Sequence, residues 1–283
     1  MQPNPAAPAA APMRDAVPAA FSCPIVAAAG GEAAIRRRLH ALHPASPGQE
    51  AAVSAFALAL LAGIAPHGAA PLLWIQERGQ ASEAGRPYGL GLPAFRFAAE
   101  NLVIVQTRGA LETLAAAEMG LEESGLAGVM VELPARLPPD MLKLTKRLSL
   151  RAEARAVPCL MLHAMPTPTD TCAATRWQVA TRPPERKVSA GIMLPDWSLT
   201  LDLLLDRNRF GPLGRWAVRW EATPEASTDR SSGSRHVPNH PRFTVVEASA
   251  AIGAARAAHS QSLATSSPDG PAGADIIRLG RAA

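Results

Sequence analysis

The chain has 283 residues, 48% of them hydrophobic and 18% charged, which indicates a folded protein and excludes a wholly disordered one. Its net charge of +4 permits contact with nucleic acid but does not argue for it. Cys23, Cys159 and Cys172 show no C-x-x-C spacing and no companion His/Cys cluster, so neither a disulfide framework nor a zinc site is expected.

The two ends of the chain differ in composition from its centre. Residues 1–30 are rich in Ala and Pro and are predicted to be disordered, and the prolines make this stretch a poor signal peptide. Residues 31–221 have the pattern of one globular core. Residues 222–283 are predicted to be mostly disordered, with one short helix at 246–259. Since the longest apolar stretch is shorter than the roughly 20 residues that span a bilayer, we expect a cytoplasmic protein with no membrane contact.

Helices and apolar strands alternate through the first part of this core. The predicted elements, in chain order, are a strand at 38–42, a helix at 49–64, strands at 71–76 and 100–107, a helix at 109–125, a strand at 126–133, a helix at 138–156 and a strand at 157–164. This spacing predicts right-handed crossovers and a mainly parallel sheet flanked by helices.

Beyond residue 175 the pattern contains strands alone. Alternate residues are apolar from 199 to 205 and again from 216 to 220, and the turn residues of "DRNRFGPLG" separate the two runs. This pattern predicts an antiparallel hairpin at the C-terminal edge of the sheet. The expected fold class is therefore α/β, with a mainly parallel sheet and an antiparallel C-terminal hairpin.

The segment "HPASPGQEAA", residues 43–52, joins a predicted strand to a predicted helix, where nucleotide-binding folds hold phosphate. Against the P-loop pattern G-x-x-x-x-G-K-[ST], His43 stands at the first glycine and Gly48 at the second. Gln49 replaces the lysine that neutralises phosphate, and Glu50 replaces the hydroxyl that holds Mg²⁺. Because a carboxylate repels phosphate, we predict a degenerate nucleotide loop with no cofactor and no catalysis.

Two other positions match places where an ATPase carries charged residues. Glu132 ends an apolar strand in the manner of a Walker B carboxylate. Without a lysine or hydroxyl partner a metal site is not favoured, and the alternative is a carboxylate that caps the strand end and bonds to loop amides. Glu77 and Arg78 follow the strand at 71–76, near where an ATPase carries its catalytic carboxylate. The alternative is an exposed pair of charged loop residues.

The order of these segments resembles a RecA-type ATPase core with an eroded active site, and more specifically the ImuA family of inducible-mutagenesis proteins. The resemblance covers roughly residues 39–221. It rests on "LHALHPASPGQEAAVSAFALALLAG", "PLLWIQE", "YGLGLPAFRFAAENLVIVQTR", "ATRWQVA" and "LLLDRNRFGPLGRWAVRWE". The most specific part is "TRW" followed by "RNRFGPLGRW". It implies a RecA-like core with a degenerate P-loop.

The resemblance also implies a function in damage-induced, error-prone translesion DNA synthesis. Proteins of this family work beside an ImuB-like, catalytically inactive Y-family polymerase homologue, an error-prone C-family DNA polymerase and RecA. An adaptor needs the surface of the fold and not its turnover, so the expected protein is not an enzyme. RecA-like proteins carry a nucleotide-sensing polar residue where His163 ends a strand, and a structural histidine is the alternative.

Two basic surfaces are candidates for binding a partner or DNA, and weak DNA contact and self-association are left open. One is a stripe on the helix at 138–156, whose alternative is a solvated helix face. The other is the turn of the C-terminal hairpin, where arginines beside an aromatic residue suit a partner hot spot or nucleic acid. The residues are Lys143, Arg147, Arg151 and Arg155 on the helix, and Arg207, Arg209, Phe210 and Arg215 at the turn.

Two other functions compete with the adaptor. A SulA-like inhibitor of cell division also resembles a degraded RecA core, and it would bind the tubulin-like division protein without touching DNA. The other is a residual ATPase that uses an unconventional loop. The basic stripe and the hairpin favour the adaptor.

Overall fold

A nine-stranded sheet forms the centre of the protein in a computed structural model, which describes residues 24–64, 70–166, 169–183, 186–189, 192–195, 199–221 and 242–249. The strands are β1 (Leu39–Pro44), β2 (Leu72–Glu77), β3 (Leu102–Thr107), β4 (Gly128–Leu133), β5 (Cys159–His163), β6 (Thr175–Thr181), β7 (Arg186–Ser189), β8 (Ile192–Pro195), β9 (Leu199–Asn208), β10 (Gly214–Glu221) and β11 (Arg242–Ser249). The helices are α1 (Pro24–Ala28), α2 (Glu32–Arg36), α3 (Glu50–Ile64), α4 (Arg78–Ala84), α5 (Ala110–Gly120) and α6 (Met141–Arg155).

The sheet is parallel in one part and antiparallel in the other. Its strand order is β11-β10-β9-β6-β1-β5-β4-β2-β3, and β7 and β8 form a separate antiparallel pair. The six strands from β6 to β3 are parallel, while β9, β10 and β11 pair antiparallel beyond β6. The predicted α/β class, the mostly parallel sheet and the C-terminal antiparallel hairpin are confirmed.

Two apolar clusters cover the two faces of the sheet. On one face, α3 packs against the sheet through side chains such as Phe56 and Leu61, both fully buried. On the other, α5 and α6 contribute Leu114 and Leu148. Because β1 lies between the two clusters, all six of its residues are buried. Within the described residues, no helix is both long enough and apolar enough to cross a membrane.

The core extends past both predicted boundaries, 31 and 221. Ile25 of α1 is fully buried in the cluster that contains α3. At the other end, β11 pairs with β10, and the ring centroid of Phe243 lies 5.8 Å from that of Phe56. The short helix predicted at 246–259 is therefore wrong for its first residues, which complete β11. Residues 1–23 and 250–283, where disorder was predicted, lie outside the described residues.

β3 differs from its prediction as a buried strand because it forms the edge of the sheet. Val103 and Ile104 are exposed there, although both are apolar. Their apolar character predicted burial on both faces, which holds for β4 and β5 in the interior of the sheet. Sequence pattern reports what a strand would bury and not how many neighbours it has.

Candidate functional site

The loop between β1 and α3 binds a carboxylate of its own chain. Glu50, the first residue of α3, turns back so that its Oε1 accepts a hydrogen bond from the backbone N–H of Gly48, at 3.1 Å. Gly48 has a φ of +84°, a conformation that favours glycine. Backbone N–H groups in such a turn are what bind phosphate oxygens in nucleotide loops. Here one of them is occupied by an anion that the loop itself supplies.

The other two predicted loop residues add no cation. The side-chain Oε1 of Gln49 is buried and accepts no hydrogen bond from the described residues. His43 lies in β1 and is buried, so it is not the first loop residue that the sequence predicted. The strand runs beyond residue 42 because His43 and Pro44 still pair with Gln178 and Val179 of β6.

His43 stacks on His163 at the carboxyl ends of the parallel strands. Their ring centroids are 4.0 Å apart and the ring planes differ by 16°. The Nδ1 of His43 lies 3.3 Å from the carbonyl oxygen of Met165. Burial lowers the pKa of both rings, most strongly that of His163, and the neighbouring charge of Arg176 lowers both pKa values further. The two rings are therefore neutral near pH 7, which agrees with a structural part for His163.

Glu132, near the end of β4, is held by two side chains of the neighbouring strand β2. Its Oε1 accepts a hydrogen bond from Trp74 Nε1 and its Oε2 accepts one from Gln76 Nε2, both at 2.8 Å. The partners are thus side-chain donors and not the loop amides that the sequence analysis considered. Burial raises the pKa of Glu132, while the two hydrogen bonds oppose that rise.

A cavity of about 280 Å³ opens above these residues, between the carboxyl ends of β2, β4 and β5 and the first turns of α3. Trp74, Gln76 and Glu132 line it, together with apolar and aromatic residues. Phe95 forms part of the wall and stacks on Trp220, with ring centroids 5.3 Å apart. In parallel α/β sheets this edge is where ligands bind. The cavity lies at that edge of the sheet.

Glu77 and Arg78 begin a short helix and do not face each other as a loop pair. The carboxylate of Glu77 accepts a hydrogen bond from the backbone N–H of Gln80, at 3.0 Å, and so caps the N-terminus of α4. Helix caps of this kind stabilise a helix by about 1 kcal/mol. Glu77 therefore has a structural role as the N-cap of α4.

The basic stripe on α6 is partly neutralised by α5. The carboxylate of Glu118 forms ion pairs with the guanidinium groups of Arg147 and Arg151, with N–O distances of 2.6 and 2.8 Å. Arg151 also forms an ion pair with Glu122. Lys143 and Arg155 are exposed. Two of the four predicted cations thus join the helices to each other, which reduces the charge that the stripe offers to a phosphate or to an acidic partner.

The hairpin turn is anchored on the segment between α1 and α2. Asn208 Nδ2 donates to the carbonyl oxygen of Ala28 at 2.8 Å. Gly30 approaches Phe210 so closely that an added Cβ would lie 2.8 Å from the Phe210 Cβ. The guanidinium of Arg38 lies 5.3 Å from the centroid of the Phe210 ring. Phe210 is 40% exposed, so these contacts bury part of its side chain and leave the rest accessible to a partner.

The arginines of the hairpin do not form one cluster. Arg207 donates from Nη1 to the carbonyl oxygen of Thr171 at 3.0 Å. Arg209 is exposed at the turn, while Arg215 lines a groove that also contains Arg182 and Glu247. Of the three predicted arginines, only Arg209 is therefore assigned to the surface beside Phe210.

No family model matches the sequence, and no curated protein matches it significantly. Among the described residues, no group of three or more His, Cys, Asp or Glu side chains is placed to hold a metal ion. The interpretation of the site therefore rests on the positions and contacts of its own residues.

Sequence analysis overlooked Trp74 and Gln76, which contact Glu132 and line the cavity. They lie two positions apart in β2, so they face the same side of the sheet. A tryptophan and a glutamine on one face of an otherwise apolar strand are a usable signal, because each needs a hydrogen-bond partner once buried. The partner comes from β4, which only the strand order brings beside β2.

Proposed function

We propose that this protein is a non-catalytic adaptor with a RecA-like core, which acts in damage-induced, error-prone translesion DNA synthesis. The observation that carries the non-catalytic part is the hydrogen bond from Gly48 N–H to Glu50 Oε1. It places a fixed negative charge where a phosphate would have to bind, and Gln49 supplies no cation to offset it. Repulsion between such charges in a partly buried loop opposes binding of a nucleotide.

Support for a RecA-like core comes from the connectivity of the sheet. The loop follows β1, which lies inside the parallel part between β5 and β6. The antiparallel strands extend the sheet beyond β6 alone. The resemblance to RecA-type ATPases rests on the order of the segments along the chain, and this connectivity is compatible with it. The loop also lies at the edge of the sheet where ligands bind in such folds.

The partners of the proposed adaptor are an ImuB-like Y-family polymerase homologue, RecA and an error-prone C-family DNA polymerase. An adaptor of this kind binds through surfaces and has no need of turnover. The exposed part of the hairpin turn, with Arg209 beside Phe210, is the surface we assign to one of these partners. Aromatic and arginine side chains are the residues that most often carry binding energy at protein interfaces.

Nucleotide binding tests the non-catalytic part. We expect a fluorescent ATP analogue to show no saturable binding in the micromolar range, with RecA as the positive control. Micromolar affinity that is lost in Gln49→Ala would contradict the proposal and favour the residual ATPase.

A tagged pull-down from DNA-damaged cells tests the assembly. We expect the Y-family homologue, RecA or the C-family polymerase to be recovered, and Arg209→Glu to reduce that recovery. Arg136→Glu, a charge reversal at another exposed loop position, is the matched control and should leave recovery unchanged. Recovery of the tubulin-like division protein instead would assign the chain to the SulA-like class and overturn the role in DNA synthesis.

A further inference from the structure

The cavity above Glu132 presents a carboxylate at its base and apolar side chains on its walls. Glu132 is partly exposed and carries this carboxylate, whereas the Oε1 of the almost fully buried Gln76 is enclosed in the protein and not open to the cavity. The orientation of the Gln76 amide is fixed, because its Nε2 faces two acceptors, the Glu132 carboxylate at 2.8 Å and the Gly85 carbonyl oxygen at 3.4 Å. Gln76 therefore acts on the cavity through its Nε2, which holds the Glu132 carboxylate in place at the base.

The charges around the cavity favour a cation. Glu50 at its rim and Glu132 at its base are acidic, and His163 is neutral because burial lowers its pKa. Of the described residues that line the cavity, Arg86 alone carries a positive charge, and it is exposed. A phosphate or a carboxylate would meet two acidic groups here, whereas a cation would be attracted by both.

The walls favour a flat cation on an apolar stem. Trp74, Tyr88 and Phe95 bring aromatic rings to the cavity, and Leu58 and Leu92 bring aliphatic surface. A guanidinium group stacks on aromatic faces and donates several parallel N–H groups to acceptors, while its methylene chain packs on apolar walls. The volume of about 280 Å³ lies just below the roughly 300 to 1,000 Å³ of sites for drug-sized ligands, so one side chain or a small molecule is the fitting size.

We propose that this cavity binds an alkyl guanidinium group, the side chain of an arginine carried by a partner protein, with the cation on Glu132 and the stem against Leu58 and Phe95. A bare divalent metal fits less well, because the two carboxylate oxygens of Glu132 already accept N–H groups that would face the metal. The inference is independent of the translesion assembly, since it depends only on the lining of the cavity.

The test is an NMR titration of the full chain, which follows the indole N–H signal of Trp74. This N–H donates to Glu132, so its chemical shift reports on that carboxylate, and Trp74→Phe assigns the signal among the five tryptophans. The probe is N-acetyl-arginine amide up to about 10 mM, and the matched control is N-acetyl-citrulline amide, which has nearly the same shape without the charge. We expect a saturable shift with the arginine compound alone. Equal shifts with both compounds, or none with either, would overturn the proposal.

Four variants, one of them a control, locate the site and test the sign of the ligand charge. Glu132→Gln is expected to weaken binding of the arginine probe about tenfold or more, whereas Glu123→Gln, at an exposed carboxylate outside the cavity, leaves it unchanged. Should Glu132→Gln not fold, Ser54→Leu fills the cavity from α3 and is also expected to abolish the shift. Arg86→Gln removes the cation at the rim and should strengthen binding about twofold to fivefold. Weaker binding in Arg86→Gln would contradict the electrostatic attraction of a cation on which the proposal rests.

A last comparison separates the two sources of a guanidinium. Agmatine carries the same group on a free amine, whereas the capped arginine represents a side chain within a protein. Binding of the capped arginine at least as tight as that of agmatine supports a partner's side chain. A clear preference for agmatine would overturn that source and assign the cavity to a free amine.

Discussion

His43 and His163 lie ring against ring at the ends of β1 and β5, with centroids 4.0 Å apart. Neither Nε2 atom has a hydrogen-bond partner among the described residues. A proton on either ring would therefore place a buried charge against a second imidazole. The folded state accordingly favours the neutral form of both rings. This pair makes the stability of the fold sensitive to acid, and a third histidine adds to the effect.

The free energy of unfolding should fall as the pH falls from about 6.5 to about 4. Burial is the main cause that lowers the pKa of His40 from 6.5 to about 4, so between these values the unfolded chain binds more protons than the folded one. Once His40 is titrated, this residue alone removes about 3 kcal/mol of stability, and His43 and His163 shift in the same direction. Urea unfolding at several pH values measures the loss.

The variant His163→Phe separates the contribution of the histidine pair. It keeps a stacked ring and removes a titratable group, so we expect a shallower dependence of stability on pH than in the wild type. If the two proteins lost stability in parallel below pH 6.5, the histidine pair would not be a source of the acid sensitivity.

Restoring one residue of the phosphate loop should not restore catalysis. We expect no phosphate release from ATP by Gln49→Lys, because the carboxylate of Glu50 still occupies the Gly48 N–H and Glu132 is held by Trp74 and Gln76. The double variant Gln49→Lys/Glu50→Ser removes that carboxylate and should bind an ATP analogue at least about tenfold more tightly than Gln49→Lys. Measurable turnover in Gln49→Lys would refute this account of the loop.

The contact between Gly30 and Phe210 should make Gly30→Ala strongly destabilising. The added Cβ would lie 2.8 Å from the Phe210 Cβ, and the φ of +97° is strained for alanine, so we expect a loss of about 2 to 4 kcal/mol. Gly31→Ala is the matched control, because its φ is +88° but an added Cβ meets no atom within 4 Å among the described residues. It should lose only about 1 to 2 kcal/mol in thermal or urea unfolding. Equal losses would mean that the hairpin turn does not depend on this contact.

Neutralising the acidic partners of α6 should increase weak, non-specific binding of DNA. In Glu118→Gln/Glu122→Gln the guanidinium groups of Arg147 and Arg151 lose their carboxylates and become available to phosphate. We expect fluorescence anisotropy at low salt to show a severalfold higher affinity than for the wild type, with a steeper dependence on salt. Glu83→Gln/Glu123→Gln, at two other exposed carboxylates, is the control for the same change in net charge. Unchanged affinity would exclude the stripe as a DNA-binding surface.

Local sequence determined most of the helices and strands between residues 38 and 164. The predicted helices at 49–64 and 138–156 contain α3 and α6. The predicted strands at 100–107, 126–133 and 157–164 contain the observed ones, while β2 runs one residue past its predicted end at 76. These elements are long or strongly patterned, and short polar turns separate them, so neighbouring residues carry the signal. The absence of the P-loop lysine and hydroxyl from the loop at 43–52 can likewise be read from the sequence, because it depends only on which residues stand there.

Tertiary structure decided which residues meet. That Glu132 accepts hydrogen bonds from Trp74 and Gln76, and that His43 stacks on His163, depends on the order of strands in the sheet, because each pair is more than 50 residues apart in the chain. The same holds for β11, which forms because β10 offers it a partner and α3 covers Phe243. Periodicity records what a segment would bury, whereas the neighbour that buries it is fixed only when distant strands pair.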